Sequence, residues 1–485
     1  MDTLRILFAS AEVSPFAKVG GLADVAGSLP KALEKAGIDV RVVMPKYGII
    51  DTSKFPLTKV ADAISIPFRG NDETISLYQT QLPGSSVPVY LIEHEKFLGG
   101  DGVYPPSEII DESERFSFFT RSVLEIFNAL DWWPNVIHCH DWQTAMIPAL
   151  VKIFGKSNQR FVHIKTLLTI HNLAMQGWTS WDEAASMFGI SESDHVSFSQ
   201  KDQSGSKINY LEQGILSADK LNTVSPTYAK EILTKEFGAS LEEKLSSRTN
   251  DLIGILNGID YDIFNPATDP LITAQFAQDS LDKKTENKLV LQKQGGLKED
   301  ANIPLIGLVS RLTDQKGIDF IAEIGDQFLS QDVQFILLGT GDKKVEALMS
   351  NLAKKHPRKM SAMIKFDKKL AMQIYAGADM FLMPSKFEPC GLGQMIAMKY
   401  GTVPIVRATG GLKDTVQQID PNTGDGEGFV FQQSQSSELL VAIQNALSLY
   451  KDKKLWHTVV QHVMQNDFSW TQSAKEYIKL YEQLS

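Results

Sequence analysis

Several short segments of this sequence carry residue types that could bind an anion or a sugar, and each follows an apolar run. Lys18-Val19-Gly20-Gly21-Leu22-Ala23-Asp24 sets two glycines and a cation before a helical pattern. There, backbone N–H groups can approach an anion at a helix N-terminus. The same Gly-Gly reads equally as a tight strand-to-helix turn with a solvated lysine. Ser310-Arg311-Leu312-Thr313-Asp314-Gln315-Lys316-Gly317 offers an arginine for bidentate phosphate contact and a lysine as a point charge. Together they suit a diphosphate; taken singly, they would also fit a solvated basic turn. In Pro384-Ser385-Lys386-Phe387-Glu388-Pro389-Cys390-Gly391-Leu392-Gly393, Glu388 stands at the carboxyl end of a strand, where a carboxylate can meet sugar hydroxyls or simply start a helix. His138-Cys139-His140-Asp141-Trp142 and His171-Asn172 complete the set. His138 and His140 share a strand face as a metal pair would, but no third ligand follows at metal-site spacing, so no metal is expected. Asp141 can be a helix cap and His171 a satisfied strand-end histidine.

The elements that must position these residues follow from periodicity. Residues 4–11 read as a buried strand; Leu22, Val25, Ala26, Leu29 and Leu33 fall at helical spacing, and a second strand follows at residues 40–43. That is a βαβ unit. Further strands at residues 136–138, 167–170 and 221–224 run into polar turns, with helix-start chemistry at Asp141 and at Ser225-Pro226. The pattern begins again after Asn257-Gly258-Ile259-Asp260, with strands at residues 305–309, 335–338, 380–383 and 403–406. Residues 261–301 read as a polar linker with a helix at 286–294, and the chain is helical beyond Leu439, ending on a helix over 473–484. The expected fold class is α/β, with parallel sheets covered by helices in two doubly wound domains.

At 485 residues the chain is too long for one ordinary core. A net charge of −10 argues against a nucleic-acid or anionic-membrane binder, since those need a basic face, and is compatible with a neutral polymer such as glucan. No apolar stretch approaches the roughly 20 residues of a membrane span. Two cysteines exclude a disulfide framework and fit a reducing compartment. The chain enters a strand-like run at once, without signal or transit patterning, so a cytoplasmic location is expected, or a plastid stroma for a processed chain.

Read together, Lys18 to Val25, His138 to Trp142, Thr169-Ile170-His171-Asn172-Leu173, Val309 to Leu312 with Gln315-Lys316-Gly317, and Phe387 to Leu392 resemble the bacterial glycogen synthases and plant starch synthases. Val224 to Ala229, Leu256 to Asp260, Thr409 to Thr415 and Phe468-Ser469-Trp470 extend the resemblance to nearly the whole chain. It implies a GT-B fold of two Rossmann-like domains facing a deep cleft: an acceptor-side domain over residues 1–258, a nucleotide-sugar donor domain over 259–464, and a C-terminal helix over 465–485 crossing back to the first. It also implies retaining transfer of glucose from ADP-glucose to the non-reducing end of an α-1,4-glucan or maltooligosaccharide. ADP would be released without metal or cofactor. Hinges near Asn257-Gly258-Ile259-Asp260 and residues 467–472 would then close the cleft on donor binding.

The resemblance carries the catalytic roles onto His171, Glu388, Arg311, Lys316 and Asp141. It carries donor binding onto Lys18, Gly20, Gly21, Asn257, Arg311, Lys316, Glu388, Cys390, Gly391 and Leu392, and the acceptor side onto Asp24, His140, Asp141, Asn172 and Gln176. The departures are Met175, Glu212-Gln213-Gly214 and Gly393, which bear on acceptor and donor choice rather than on reaction type. A retaining transferase using UDP-glucose or making a sucrose-phosphate type of product would share the Arg-Lys and Glu loops. It should lack the Lys-x-Gly-Gly-Leu and His-x-His-Asp-Trp pairing. A non-catalytic glucan-binding scaffold would have no need of the complete diphosphate set.

Overall fold

A computed structural model describes residues 3–104, 111–191 and 207–484. Met1 and Asp2, which open the sequence, lie outside them. The chain divides into two compact units, one of residues 1–258 with 470–485 and the other of residues 259–469.

The first unit is built on a nine-stranded sheet. From one edge the strands run Leu252–Gly254, Lys220–Thr223, Lys165–Ile170, Val136–His140, Arg5–Ala9, Asp39–Pro45 and Pro88–Glu93, all parallel. Asn71–Gln81 and Thr58–Phe68 then add an antiparallel edge. The central strands are apolar because helices cover both faces; every residue of Val136–His140 is buried. The antiparallel hairpin is absent from the sequence expectations. Its strands are largely exposed and carry charged side chains, so the apolar runs that mark the buried strands are missing. Its turn is Arg69-Gly70, with φ of 52° and 73°, the pair of left-handed residues a two-residue hairpin loop needs.

The second unit holds a six-stranded sheet, in the order Met360–Met363, Gln334–Leu338, Leu305–Val309, Met380–Met383, Val403–Arg407 and Phe429–Phe431, parallel throughout. Counted along the chain, this is the third-second-first-fourth-fifth-sixth order of a dinucleotide-binding fold, and the parallel strands of the first unit follow the same order. In each sheet the winding reverses beside the first strand. The two reversal points lie between Arg5–Ala9 and Val136–His140, and between Leu305–Val309 and Met380–Met383. Ligands of open α/β sheets bind outside the carboxyl ends at such a point.

The helix after the linker is longer than its sequence pattern suggests, covering Asp282–Gln294. The last helix is Trp470–Glu482, which begins where the chain re-enters the first unit, so residues 465–469 stay with the second. It buries Trp470, Ala474, Tyr477, Leu480 and Tyr481 on one face. Among the described residues, no helix is long and apolar enough to cross a membrane.

Candidate active site

In the second unit the two loops at the reversal point are joined by a buried ion pair. Lys316 Nζ donates to Glu388 Oε2 at 2.6 Å, and Ser385 Oγ donates to the same oxygen at 2.8 Å. Both side chains are largely withdrawn from water, 16% and 8% exposed, so the pair is strong in geometry and costly to break. The backbone around it is fixed by glycine. Gly317, at φ +64°, and Gly410, at φ +45°, adopt left-handed conformations, and a Cβ at either would overlap the carbonyl of Pro384 or of Glu388. Gly411 N–H donates to the Glu388 carbonyl at 3.1 Å, and Arg407 Nε donates to the Ser385 carbonyl at 2.8 Å. Arg311 differs. It is exposed, and its guanidinium has no partner among the described residues. Cys390 is buried, Gly391 takes φ +71°, and Leu392 leads into the helix Gly393–Lys399. One exposed aromatic escaped the sequence reading: Phe366, 90% exposed, on the loop after the edge strand Met360–Met363. Its signal was a lone phenylalanine between Lys365 and Asp367 in a polar turn.

In the first unit the turn of Lys18 to Gly21 precedes the helix Gly21–Lys35. Its amides meet a carboxylate that sequence reasoning missed. Glu12, 3% exposed, accepts from the N–H groups of Val19 at 2.6 Å and Gly20 at 2.8 Å. Its other oxygen accepts from Tyr104 Oη at 2.8 Å, which in turn accepts from Gln143 Nε2 at 2.9 Å. An acidic residue at the end of the first strand, eight residues before a Gly-Gly turn, was the available clue. Lys18 is half-exposed and ion-paired with Asp24 at 2.6 Å.

At the reversal point itself, Asp141 does not start a helix as its sequence context suggests; the next helix begins at Ile147. The backbone turns into the left-handed region at Asp141, φ 54°, and its Oδ1 accepts from His171 N–H at 2.6 Å and Asn172 N–H at 3.3 Å. Aspartate tolerates that conformation, and the turn lets one carboxylate organise the neighbouring strand end. Burial raises its carboxyl to about 7, against the lowering effect of those two amides. His171 is half-buried; its Nε2 lies 3.0 Å from His140 Nδ1, and loss of solvation pulls it down to about 3. His140 is fully buried and its Nε2 has no partner among the described residues. Asn257 is likewise buried, with an Oδ1 unpartnered among the described residues. Gln176 spends its amide on the carbonyls of Leu173 and Ala239 and on Asn209 Nδ2, so it shapes the loop that presents exposed Met175 and Trp178. No cluster of three histidine, cysteine or acidic side chains is arranged to hold a metal among the described residues.

Two doubly wound units in one chain, each with polar residues gathered at its reversal point, are the two-domain α/β architecture of the GT-B class. The pattern of the starch synthase catalytic domain matches residues 5–247, and that of glycosyl transferases group 1 matches residues 291–458. A glycogen synthase from Thermosipho melanesiensis is 46% identical over 99% of this chain and 98% of its own length. One from Thermotoga maritima is 43% identical over the same shares. The solved catalytic domain of starch synthase IV from Arabidopsis thaliana, bound to ADP and acarbose, superposes with a TM-score of 0.92. It is 35% identical and covers 100% of this chain and 99% of that one. Sucrose-phosphate synthase from Thermosynechococcus elongatus, at TM-score 0.60 and 19% identity, shares the fold alone. The chain belongs to the glycogen and starch synthase family.

Proposed function

We propose that the chain transfers glucose from ADP-glucose to the non-reducing end of an α-1,4-glucan, with retention of configuration and release of ADP. The observation that carries this reading is the buried Lys316–Glu388 pair beside the unpartnered Arg311, at the reversal point of the second unit. Arg311 and Lys316 neutralise the charge that develops on the departing diphosphate, an interaction stronger in the transition state than in the ground state. Glu388, held by Lys316 and Ser385, orients the glucose hydroxyls. On the acceptor side Asp141 anchors the His171 backbone through its amide, the His171 carbonyl is assigned the role of stabilising positive charge at the anomeric carbon, and Met175 and Trp178 offer apolar surface to sugar rings. The incoming 4-hydroxyl attacks from the side of the leaving group and gives its proton to a phosphate oxygen. To meet a diphosphate, Lys18 and Gly20 exchange their present partners, Asp24 and Glu12.

The ADP bound to the Arabidopsis relative supports an adenine nucleotide donor. The test is incorporation of glucose from ADP-glucose and UDP-glucose, with and without maltooligosaccharide, in EDTA and in added divalent ion. Transfer from ADP-glucose only with acceptor, indifferent to EDTA, is the expected result. Preference for UDP-glucose, or rescue of an EDTA-silenced enzyme by a divalent ion, would overturn the donor assignment or the metal-free reading respectively.

Phe366 supplies a stacking face for the base, since aromatic side chains at a nucleotide site bind bases through their π-faces. Phe366→Ala is expected to raise the ADP-glucose KM about tenfold or more, corresponding to roughly 1–3 kcal/mol of stacking, with kcat within about threefold. A KM equal to wild type would place the base elsewhere.

A further inference from the structure

The first unit contains a buried polar chain that none of the preceding roles uses, and its proton directions can be worked out. Asn222 Nδ2 donates to the carbonyls of Thr223 at 3.0 Å and Ile253 at 3.1 Å, so its Oδ1 is the acceptor. Into that oxygen donate Thr169 Oγ1, at 2.8 Å, and Tyr477 Oη, at 2.9 Å. With its proton committed, Thr169 Oγ1 accepts from His138 Nε2 at 2.6 Å. His138 is therefore the Nε2–H tautomer, and its Nδ1 accepts from Tyr481 Oη at 2.8 Å.

Two routes lead from this chain to His171. The His138 ring packs on His140 with centroids 4.1 Å apart, Phe8 lies against both, and His140 hydrogen-bonds His171. In parallel, the Thr169 carbonyl accepts from Asp141 N–H at 2.9 Å, and Asp141 holds the His171 amide. Both tyrosines are fully buried on the helix Trp470–Glu482. If that helix only covered apolar surface, phenylalanine at both positions would fill it without the cost of burying two hydroxyls.

We propose that Tyr481 and Tyr477 are positioning residues: through Asn222, Thr169 and the packed His138–His140 pair, the C-terminal helix fixes the place of His171. The proposal rests on the reading of His171 at the reacting centre.

The test uses the full-length chain with Tyr481→Phe, Tyr477→Phe and their combination. Ser473→Ala serves as the control, because it removes a 2.6 Å bond from the same helix to the Leu256 carbonyl without touching the polar chain. Each tyrosine variant is expected to lower kcat about tenfold, as a small misplacement of a reacting group does, with both KM values within about twofold. Ser473→Ala should keep wild-type kcat. Wild-type kcat in the double tyrosine variant, or an equal loss in Ser473→Ala, would overturn the proposal. The ring-nitrogen resonances of wild-type His138 give a readout that does not depend on any variant folding. They should report Nε2–H, and Nδ1–H would overturn the chain as drawn. His171→Ala separates the two readings. Loss there with none in the tyrosine variants overturns the positioning role alone, and wild-type activity in all of them overturns the placement of His171 as well.

Discussion

Lys316→Ala and Glu388→Gln are each expected to reduce transfer by about 10² to 10³ in kcat, the usual loss when one preorganised contact to developing charge is removed. The stability effects of the two should differ. Lys316→Ala leaves the Glu388 carboxylate, 8% exposed, without its cation, and breaking a buried pair from one side costs about 3–5 kcal/mol. In Glu388→Gln the amide can still accept from Ser385 and Lys316, so the fold should lose less. Lys316→Met combined with Glu388→Gln removes both charges together. The double variant should recover most of the stability lost in Lys316→Ala while remaining inactive. Denaturant unfolding and initial rates on the three proteins check this. Recovery of activity along with stability would mean that the pair is a structural tie and that the diphosphate is bound elsewhere. Arg311→Ala provides a comparison. An exposed guanidinium with no partner should cost activity on the same scale with no measurable loss of stability, since no contact within the fold is removed.

How much of this was legible beforehand depended on burial. The strands Leu305–Val309 and Gln334–Leu338 lie inside a parallel sheet and read as continuous apolar runs, so the turn after the first of them, with Arg311 and Lys316, could be placed at a strand end by inspection. The hairpin of Thr58–Phe68 and Asn71–Gln81 faces water, and with Lys59, Asp62, Asp72 and Glu73 its alternation was too weak to register. The roles of polar residues were harder, because they depend on which partner the fold delivers. Asp141 sits where a helix cap would, yet its carboxylate serves a neighbouring strand. Glu12 takes the Val19 and Gly20 amides only because the chain doubles back after the first strand. Tyr477 and Tyr481 marked an apolar helix face, and nothing in their spacing indicated that their hydroxyls meet Asn222 and His138. Gln213, in a segment that departs from the family resemblance, is fully buried with neither amide atom partnered among the described residues; nothing in the structure explains it.

Acidification should unfold the first unit before the second. His138, His140 and His171 all have imidazoles lowered by burial, the last to about 3. Above about pH 6.5 neither the folded nor the unfolded state binds a proton at these rings; below it the unfolded chain does and the folded unit does not. Stability is therefore lost as pH falls from about 6.5 toward the folded values, on the order of 1 kcal/mol per pH unit for each histidine. Asp141 works in the opposite direction. Its carboxyl is raised to about 7, so between that pH and its unfolded value the folded state holds the extra proton and gains stability on acidification. It offsets about one histidine and leaves the slope of the other two. In the second unit Lys284, whose ammonium is drawn in against the Ala376 and Tyr400 carbonyls and Thr402, is lowered by desolvation to about 7. Its cost to stability develops between the unfolded lysine value and about 7 and is complete below that, so it adds no slope in acid. Tryptophan fluorescence suits the measurement, since every tryptophan except Trp456 lies in the first unit. Urea midpoints followed by fluorescence should fall steadily from pH 7 to pH 5, and more steeply in Asp141→Asn, which keeps an acceptor for the His171 and Asn172 amides but removes the opposing proton. A midpoint that stays level over that range would show that the three rings are charged in the folded protein and that the buried packing around His138 is not as described.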